Sequence, residues 1–263
     1  MVTVDGFDAL TAEAGKTELV RASGMVEALR EVKDAGEVAL LRLACEAADA
    51  ALTDLIERGG LRPGRTEREV SRELEALMLD HGADGVSFDT IVAAGANSAI
   101  PHHRPTDAVL ATGDFVKIDF GALVAGYHSD MTRTFVLGRA ADWQRRSMNW
   151  SPPHNEPGAR RCGRARTCMM WMPRPPSDHR RRPRGAFRPR PGARGRPADP
   201  RSAGINATAV GTLLAGSVVT VEPGVYLPDR GGVRIEDTLV VADETSGHTP
   251  ELLTRFPKEL AIL

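Results

Sequence analysis

The spacing of hydrophobic residues predicts two amphipathic helices in the first third of the chain. The first runs from a capping box at Asp34 and Glu37 to Gly59-Gly60, with apolar residues recurring at helical spacing between them. The second begins at Thr66 and ends at His81-Gly82. His81 is therefore expected to be a residue of the last helical turn rather than a ligand.

Strand patterns follow the two helices. Residues 115–121 and 127–137 are separated by only five residues and predict a hairpin, preceded by a strand at 90–94. Further along, 217–226 and 233–241 predict a second hairpin. The first half therefore reads helix, helix, strand, hairpin, whereas the second half shows its hairpin without its helices.

The composition changes abruptly after Gln144. Residues 145–203 hold sixteen of the thirty arginines and eleven of the eighteen prolines, and they contain no Leu, Ile, Val or Lys. Because prolines preclude a long helix and few aliphatic side chains are available to bury, this Arg/Pro-rich segment is expected to be disordered. Its charge of about +13 leaves the rest of the chain near −14, so the formal total of −1 hides two different parts.

The size and composition allow one large domain or two small ones, at 263 residues and 41% hydrophobic content. Residues 1–29 are too short for a domain and are expected to be a linker or the remnant of an N-terminal domain. No apolar run approaches the ~20 residues of a membrane span, and no signal peptide is evident, so a cytoplasmic protein is expected. Cys45 falls in the first helical pattern and is expected in the core.

Both predicted hairpins place carboxylates side by side. A turn centred between Val124 and Ala125 puts Asp119 opposite Asp130. A turn centred at Asp229 puts Glu222 opposite Glu236 in the same way. Opposed residues have Cβ atoms ~4.5–5.5 Å apart, and like charges at that separation destabilise a strand pair.

A bound cation would remove this repulsion and the cost of burying the charges. Four carboxylates can hold two divalent ions, which polarise a carbonyl group and activate water. Oxygen ligands favour manganese, magnesium or calcium, and an added imidazole shifts the preference toward manganese, cobalt or zinc. Solvated surface pairs, or a bulge that alters the register, are the alternatives that the residues leave open.

The hairpin sequences resemble those of the metallopeptidase family M24, an α+β family with the pita-bread (creatinase/aminopeptidase) fold. The motifs that carry the resemblance are VKIDFGALVAGYHSDMTRTFVLG, VTVEPGVYLP and GGVRIEDTLVV. The resemblance covers 30–144 and 204–263, which implies a pita-bread catalytic domain over 30–263 that is incomplete in its second half. Within the family, EPGVY and RIEDT resemble the prolidase and Xaa-Pro aminopeptidase branch.

The resemblance implies a role for each carboxylate. Asp119 would bind one ion, Asp130 and Glu236 would bridge two ions, and Glu222 would bind the second ion and act as general base. Two divalent ions are implied, Mn²⁺ first and Co²⁺ or Zn²⁺ as alternatives. His102, in GANSAIPHHRPTD, matches the family histidine that contacts substrate, with His103 as the fallback.

One element of the family pattern is missing. The fifth ligand is a histidine in a His-Gly-x-Gly-x-x-x-His-Glu stretch, which is expected near 190–203, where the sequence reads RPGARGRPADPRSA. The Arg/Pro-rich segment stands in its place. We favour a stretch read in the wrong frame between compensating insertions or deletions, because the segment replaces family sequence. A natural basic insertion that binds RNA or an acidic partner is the alternative.

The expected function is therefore a two-metal peptidase that cleaves before proline in Xaa-Pro dipeptides or N-terminal Xaa-Pro peptides, with impaired activity. The expected partner is a small peptide with proline second, without nucleic acid or membrane. A family-type homodimer is expected to be weakened by the missing N-terminal domain. The alternative is a catalytically inactive relic or binding module of the same fold. Nucleic-acid binding is disfavoured because few aromatics interleave the arginines.

Overall fold

The computed structural model describes residues 3–20, 24–150, 213–243 and 249–263. It contains five α-helices in these ranges, in chain order α1 Val4–Glu13, α2 Met25–Glu31, α3 Ala35–Glu57, α4 Glu67–Asp80 and α5 Asp142–Trp150. The strands of the first half are β1 Gly85–Val86, β2 Ile91–Ala94, β3 Phe115–Phe120, β4 Ala122–Val124, β5 Tyr127–His128 and β6 Met131–Val136. Those of the second half are β7 Val218–Val221, β8 Gly224–Leu227, β9 Gly231–Arg234, β10 Asp237–Val240, β11 Glu251–Leu252 and β12 Ala261–Ile262.

Both predicted helices form, and both begin at the predicted capping boxes. The Asp34 carboxylate accepts a hydrogen bond from the Glu37 amide, and the Glu37 side chain accepts one from the Asp34 amide. Thr66 and Glu69 make the same reciprocal pair at the start of α4. His81 is the C-terminal cap of α4, which agrees with the prediction that it belongs to the helix end.

The central sheet has four strands in the order β12-β6-β3-β2. Helices α3 and α4 pack against one of its faces through a core that includes Leu52, Leu74, Ile118 and Phe135. The other face carries Phe115 and Val136, which pack with residues of α5 and the second hairpin. The sheet is therefore covered by helices on one side and partly by the second hairpin on the other.

The register of the first hairpin differs from the prediction. Asp119 pairs with Thr132, not with Asp130, because the turn is centred one residue later, on Ala125 and Gly126 with φ of 48° and 85°. Each strand is therefore displaced by two positions relative to its expected partner. A displacement of two keeps every side chain on its predicted face, so Asp130 is the diagonal neighbour of Asp119.

The second hairpin has the predicted register. Gly224 pairs with Arg234 and Val221 pairs with Asp237, as a turn centred at Asp229 requires. Asp229 itself has a φ of 60°. Glu222 lies between β7 and β8, opposite Glu236, at the point where the ladder between the two strands is interrupted.

The start of the Arg/Pro-rich segment belongs to the fold. Helix α5 continues to Trp150, Ser147 and Met148 are buried, and Met148 packs with Phe115 and Val136 of the central sheet. The expectation that the segment does not pack is therefore wrong for its first residues. Residues 151–203, to which the predicted disorder mainly refers, lie outside the described part of the chain.

The N-terminal residues carry two short helices. Helix α1 has no buried residue, and neither has α2. Large apolar side chains on them, such as Phe7, Met25 and Leu29, are exposed. The assignment of 1–29 to a linker or domain remnant stays a prediction. No helix within the described ranges is long and apolar enough to cross a membrane.

Candidate metal centre

Strand β3 divides its side chains between a hydrophobic core and a polar interior. Val116, Ile118 and Phe120 point toward α3 and α4. Since side chains alternate along a strand, Lys117 and Asp119 lie on the opposite face, where they contact the 100–101 loop and the second hairpin. Both are buried although they are charged. This face of the sheet therefore forms one wall of a polar site.

Thr132 joins the two hairpins at the site. Its carbonyl oxygen accepts a hydrogen bond of 3.1 Å from the Glu236 amide, and its hydroxyl group donates one of 2.7 Å to Glu236 Oε2. The interruption of the second hairpin at Ile235-Glu236 allows this contact. Glu236 therefore pairs with Thr132 instead of continuing the ladder of the second hairpin, and its carboxylate lies beside those of Asp119 and Asp130.

Three carboxylates meet at this junction. One oxygen from each of Asp119, Asp130 and Glu236 lies within 4.8 Å of the other two. Glu222 lines the same cavity, of about 520 Å³, but its side chain is 49% exposed and does not belong to the compact group. Of the four carboxylates predicted to bind metal, the structure brings three together and leaves the fourth at the rim.

Burial and mutual repulsion shift the pKa values of the group upward. Burial raises the pKa of Glu236 to about 8, with further contributions from the charges of Asp119 and Glu222. Burial, followed by the charge of Glu236, raises the pKa of Asp130 well above its usual value. Burial also raises the pKa of Asp119, against the opposing charge of Arg234. Each carboxylate is therefore held in an environment that disfavours its charged form.

Arg234 is the cation nearest to this group. Its guanidinium is buried, forms an ion pair with Asp119 and lies 3.8 Å from Glu236 Oε2. It also donates hydrogen bonds of 3.0 Å to the hydroxyl groups of Tyr226 and Thr132. When all three carboxylates are ionised, as metal ligands are, this guanidinium offsets one of their three charges and leaves two.

The residues present fit a divalent cation. Oδ1 of Asp119 and Oδ1 of Asp130 are buried, and no group of the described residues donates a hydrogen bond to either oxygen. Buried polar atoms without a partner are rare and require an explanation. A divalent ion would bind both oxygens and balance the two remaining charges.

Two histidines of the predicted loop lie at the cavity, with different contacts. His102 is part of the wall, where its charge would interact with Asp119 and Glu222. His103, the fallback candidate, is buried and pairs through Nε2 with Glu67 at 2.8 Å. The structure thus presents His102 to the cavity and uses His103 to hold the loop.

Sequence reasoning did not assign Arg234, Lys117 or Glu67 to this region. Arg234 and Lys117 each precede an acidic residue of the cluster by two positions, so alternation places them on the same face of their strands. A charged residue at such a position in an otherwise apolar strand was the available signal. Glu67 gave no signal, because a glutamate in the first turn of a helix is ordinary.

A mixed helix and strand fold in which two hairpins hold a carboxylate cluster with unpartnered buried oxygens is typical of a metal-binding protein. Comparison with known proteins gives the particular family. The family model for metallopeptidase family M24 matches residues 39–151 and 196–243. The chain belongs to this family, within its Xaa-Pro peptidase branch, and has the pita-bread fold.

Several relatives cover most of the chain. An uncharacterized peptidase of Bacillus subtilis is 33% identical over 100% of this chain and 73% of its own length. A Xaa-Pro dipeptidase of Pyrococcus furiosus is 32% identical over 92% of this chain and 68% of its own. Among solved structures, a Xaa-Pro dipeptidase from Bacillus anthracis has a TM-score of 0.80 and 32% identity, covering 100% of this chain and 72% of that one.

The resemblance predicted from the hairpin motifs is confirmed by these matches, as is the α+β pita-bread fold. The predicted absence of the ligand histidine concerns sequence that lies outside the described residues. Within the described ranges, the group of candidate ligands contains three carboxylates and no histidine.

Proposed function

We propose that the protein hydrolyses the peptide bond before proline in Xaa-Pro dipeptides or N-terminal Xaa-Pro peptides, with two divalent ions and reduced efficiency. The observation that carries the proposal is the cluster of Asp119, Asp130 and Glu236, with two unpartnered oxygens, in the same cavity as His102. The relatives named Xaa-Pro dipeptidases support the choice of substrate.

Asp119, Asp130, Glu236 and Glu222 are the residues that would hold the ions, Mn²⁺ first and Co²⁺ or Zn²⁺ next. When bound, such ions polarise the scissile carbonyl and lower the pKa of water. The exposed position of Glu222 suits a general base, because its carboxylate reaches solvent and the carboxylate cluster at once. Glu222 would accept the proton of the attacking water and return it to the proline nitrogen as the bond breaks.

His102 is the residue assigned to the substrate. Its imidazole lies on the cavity wall and would donate a hydrogen bond to the oxygen on which negative charge develops during the attack. Hydrogen-bond donors placed in this way contribute about 10²–10³-fold to turnover in other enzymes. We therefore assign His102 and Glu222 as the catalytic side chains.

The reduced efficiency follows from the missing histidine. Loss of one metal ligand or its support typically costs 10- to 100-fold in metal affinity or activity. The small-peptide substrate needs neither nucleic acid nor a membrane. A homodimer of the family type is part of the same proposal.

The test is a metal analysis combined with a peptidase assay on the purified full-length chain. The protein is loaded with Mn²⁺, its bound metal is measured by mass spectrometry, and Ala-Pro is compared with Ala-Ala. We expect substoichiometric manganese and slow cleavage of Ala-Pro alone, both abolished by Asp130→Ala. Asp107→Ala, which removes an exposed carboxylate outside the cavity, is the matched control and should leave both unchanged.

The alternative function, a non-catalytic binding module of the same fold, is favoured by one observation: within the described ranges the group of candidate ligands contains no histidine. It predicts manganese binding that depends on Asp130 without cleavage of any Xaa-Pro peptide. A wild-type chain that neither binds metal nor cleaves a peptide would contradict both functions. Full turnover that depends on Asp130 would contradict only the proposed impairment.

A further inference from the structure

Lys117 is a buried cation whose position in a strand calls for an explanation. Its side chain is fully buried in β3, two residues before Asp119. Transferring an ammonium group from water to a protein interior is costly unless hydrogen bonds compensate it. A methionine or leucine would fill the same space at no such cost.

The compensation comes from a single short loop. Lys117 Nζ donates a hydrogen bond of 2.7 Å to the Ile100 carbonyl and one of 3.2 Å to the Pro101 carbonyl. The aromatic ring of Tyr226 lies 5.1 Å from the same nitrogen, within the range of a cation–π contact. The next residue in the loop is His102. Lys117 therefore holds the backbone immediately before the side chain that faces the cavity.

The loop is also held from two other directions. Arg234 Nη1 donates a hydrogen bond of 3.0 Å to the Pro101 carbonyl, which joins the loop to the cation beside Asp119. On the far side of His102, Glu67 accepts hydrogen bonds from His103 and from the Thr106 amide. Of these contacts, only the ammonium of Lys117 reaches both carbonyls that precede His102.

We propose that Lys117 is a positioning residue, which fixes His102 at the wall of the carboxylate cavity by holding the carbonyl groups of Ile100 and Pro101. The proposal deepens the proposed function, because His102 serves catalysis only if the cavity takes a peptide. The position of His102 can nevertheless be measured without turnover. Without Lys117 the Ile100 carbonyl would lose its donor, the Pro101 carbonyl would keep only Arg234, and the loop would move toward water.

The test follows the imidazole of His102 by NMR in metal-free protein labelled with ¹³C-histidine. The His102 signal is assigned by its absence in His102→Gln. In Lys117→Met, which keeps the chain length and removes the donor, we expect this signal to shift or broaden. Lys117→Arg, which keeps a cationic donor, should restore the signal in part.

The matched control is Lys258→Met. Lys258 is also a lysine with a buried Nζ, which lies 2.7 Å from Asp237, but no contact joins it to the loop. Its substitution removes a buried ammonium and should lower stability without moving the His102 signal. An unchanged His102 signal in Lys117→Met would overturn the proposal. So would an equal change in both variants, since that would indicate general loosening of the structure.

Turnover provides a second and separable measurement. If the wild-type chain cleaves Ala-Pro, Lys117→Met should lower kcat by about 10- to 100-fold with a smaller change in KM, because a misplacement of about 1 Å can cost that much. An unchanged kcat alongside a displaced His102 would overturn the link to catalysis. If the wild-type chain shows no turnover, the proposed function fails and the NMR comparison alone decides the role of Lys117.

Circular dichroism establishes whether each variant folds. If Lys117→Met does not, Lys117→Gln replaces it, since its amide can donate to one of the two carbonyls. The same criteria then apply to its His102 signal. A folded Lys117→Gln with an undisturbed His102 signal would overturn the proposal.

Discussion

Two aspartates of this protein, the partly buried Asp130 and the fully buried Asp237, have opposite surroundings. Asp130 faces the carboxylates of Asp119, Glu222 and Glu236, and its Oδ1 has no hydrogen-bond partner among the described residues. Asp237 is paired with Arg133 at 2.8 Å and with Lys258 at 2.7 Å. Asp130 therefore destabilises the metal-free folded state, whereas Asp237 stabilises it. Strain of the first kind persists at functional sites, where a ligand relieves it.

Asp130→Asn should stabilise the metal-free protein at pH 7. Burial and the neighbouring carboxylates disfavour the charged form of Asp130, so replacing it with a neutral amide removes this cost and should stabilise by roughly 1 kcal/mol, the usual size of a point-mutation effect. Urea unfolding in the presence of a chelator measures the change. Asp237→Asn is the matched control and should destabilise by about 3 kcal/mol, because it leaves Arg133 without its partner. Changes of the same sign in both variants would contradict this assignment.

Glu67 gives a prediction about acid stability. Burial would raise its pKa, but hydrogen bonds from the Ala94 amide and from Asn97, His103 and Thr106 outweigh burial and lower it below its ordinary value of 4.5. A carboxylate with a lowered pKa in the folded state adds stability above its unfolded pKa. That stability is lost as the pH falls through the folded pKa.

Glu67→Gln should therefore cost about 2 kcal/mol at pH 7, and the difference from wild type should shrink as the pH falls below about 4.5. The free energy of unfolding measured between pH 3 and pH 7 tests this expectation. Glu46→Gln, the same change at an exposed position of α3, should stay within about 0.5 kcal/mol throughout. A difference that does not depend on pH would show that the ionisation of Glu67 does not contribute to stability.

At the scale of elements, the hairpins show what the sequence could and could not predict. The turn at Asp229 was centred correctly, so Glu222 and Glu236 have their predicted register. For the first hairpin, the predicted turn centre lies one residue before the observed centre at Ala125-Gly126. The sequence Val-Ala-Gly allows several turn centres, and only the strand pairing selects one. Asp119 still lies on its predicted face of the sheet, because side chains alternate between the faces and a register shift of two residues does not change the face.

At the end of β3, Gly121 allows the chain to pass close to the backbone of Ser129. A Cβ atom at Gly121 would lie 1.9 Å from the carbonyl oxygen of Ser129, the residue before Asp130. Gly121→Ala should therefore destabilise by about 3 kcal/mol and displace Asp130 from the cluster. Thermal or urea unfolding, with manganese binding as a second readout, measures both effects.

Gly126→Ala is the control for the glycine prediction. Gly126 also has a backbone that disfavours side chains, with φ of 85°, but a Cβ atom there would meet nothing within 4 Å. It should cost only about 1 kcal/mol, the cost of the left-handed conformation. Equal losses in the two variants would show that backbone conformation, not crowding at Ser129, determines the effect at Gly121.

At the scale of the whole molecule, the site depends on contacts between distant parts of the chain. Glu236 reaches Asp119 and Asp130 only because Thr132 bridges the hairpins. Such pairings between hairpins leave no local pattern, so the sequence predicted two carboxylate pairs but not that three would cluster while Glu222 stays exposed. The stretch where the resemblance places a fifth ligand, 190–203, contains no histidine.

The same carboxylate cluster should link metal binding to the stability of the whole fold. An ion that binds only the folded state adds RT ln(1 + [ion]/Kd) to the free energy of unfolding, about 2.7 kcal/mol at a hundredfold excess over Kd. For a domain of this size that corresponds to a rise in Tm of roughly 5–10 °C. Titration with Mn²⁺, Co²⁺, Zn²⁺ and Mg²⁺ in a thermal unfolding assay measures the rise and ranks the ions.

Asp130→Asn should abolish this rise although it makes the metal-free protein more stable. The repulsion that it relieves is the same repulsion that an ion would relieve, so the variant has less to gain from the ion and one ligand fewer to bind it. Asp107→Ala should retain the full rise, because its carboxylate lies outside the cavity. If Asp130→Asn and the wild type gain equally from manganese, the ion binds elsewhere, and the cluster is not the metal site.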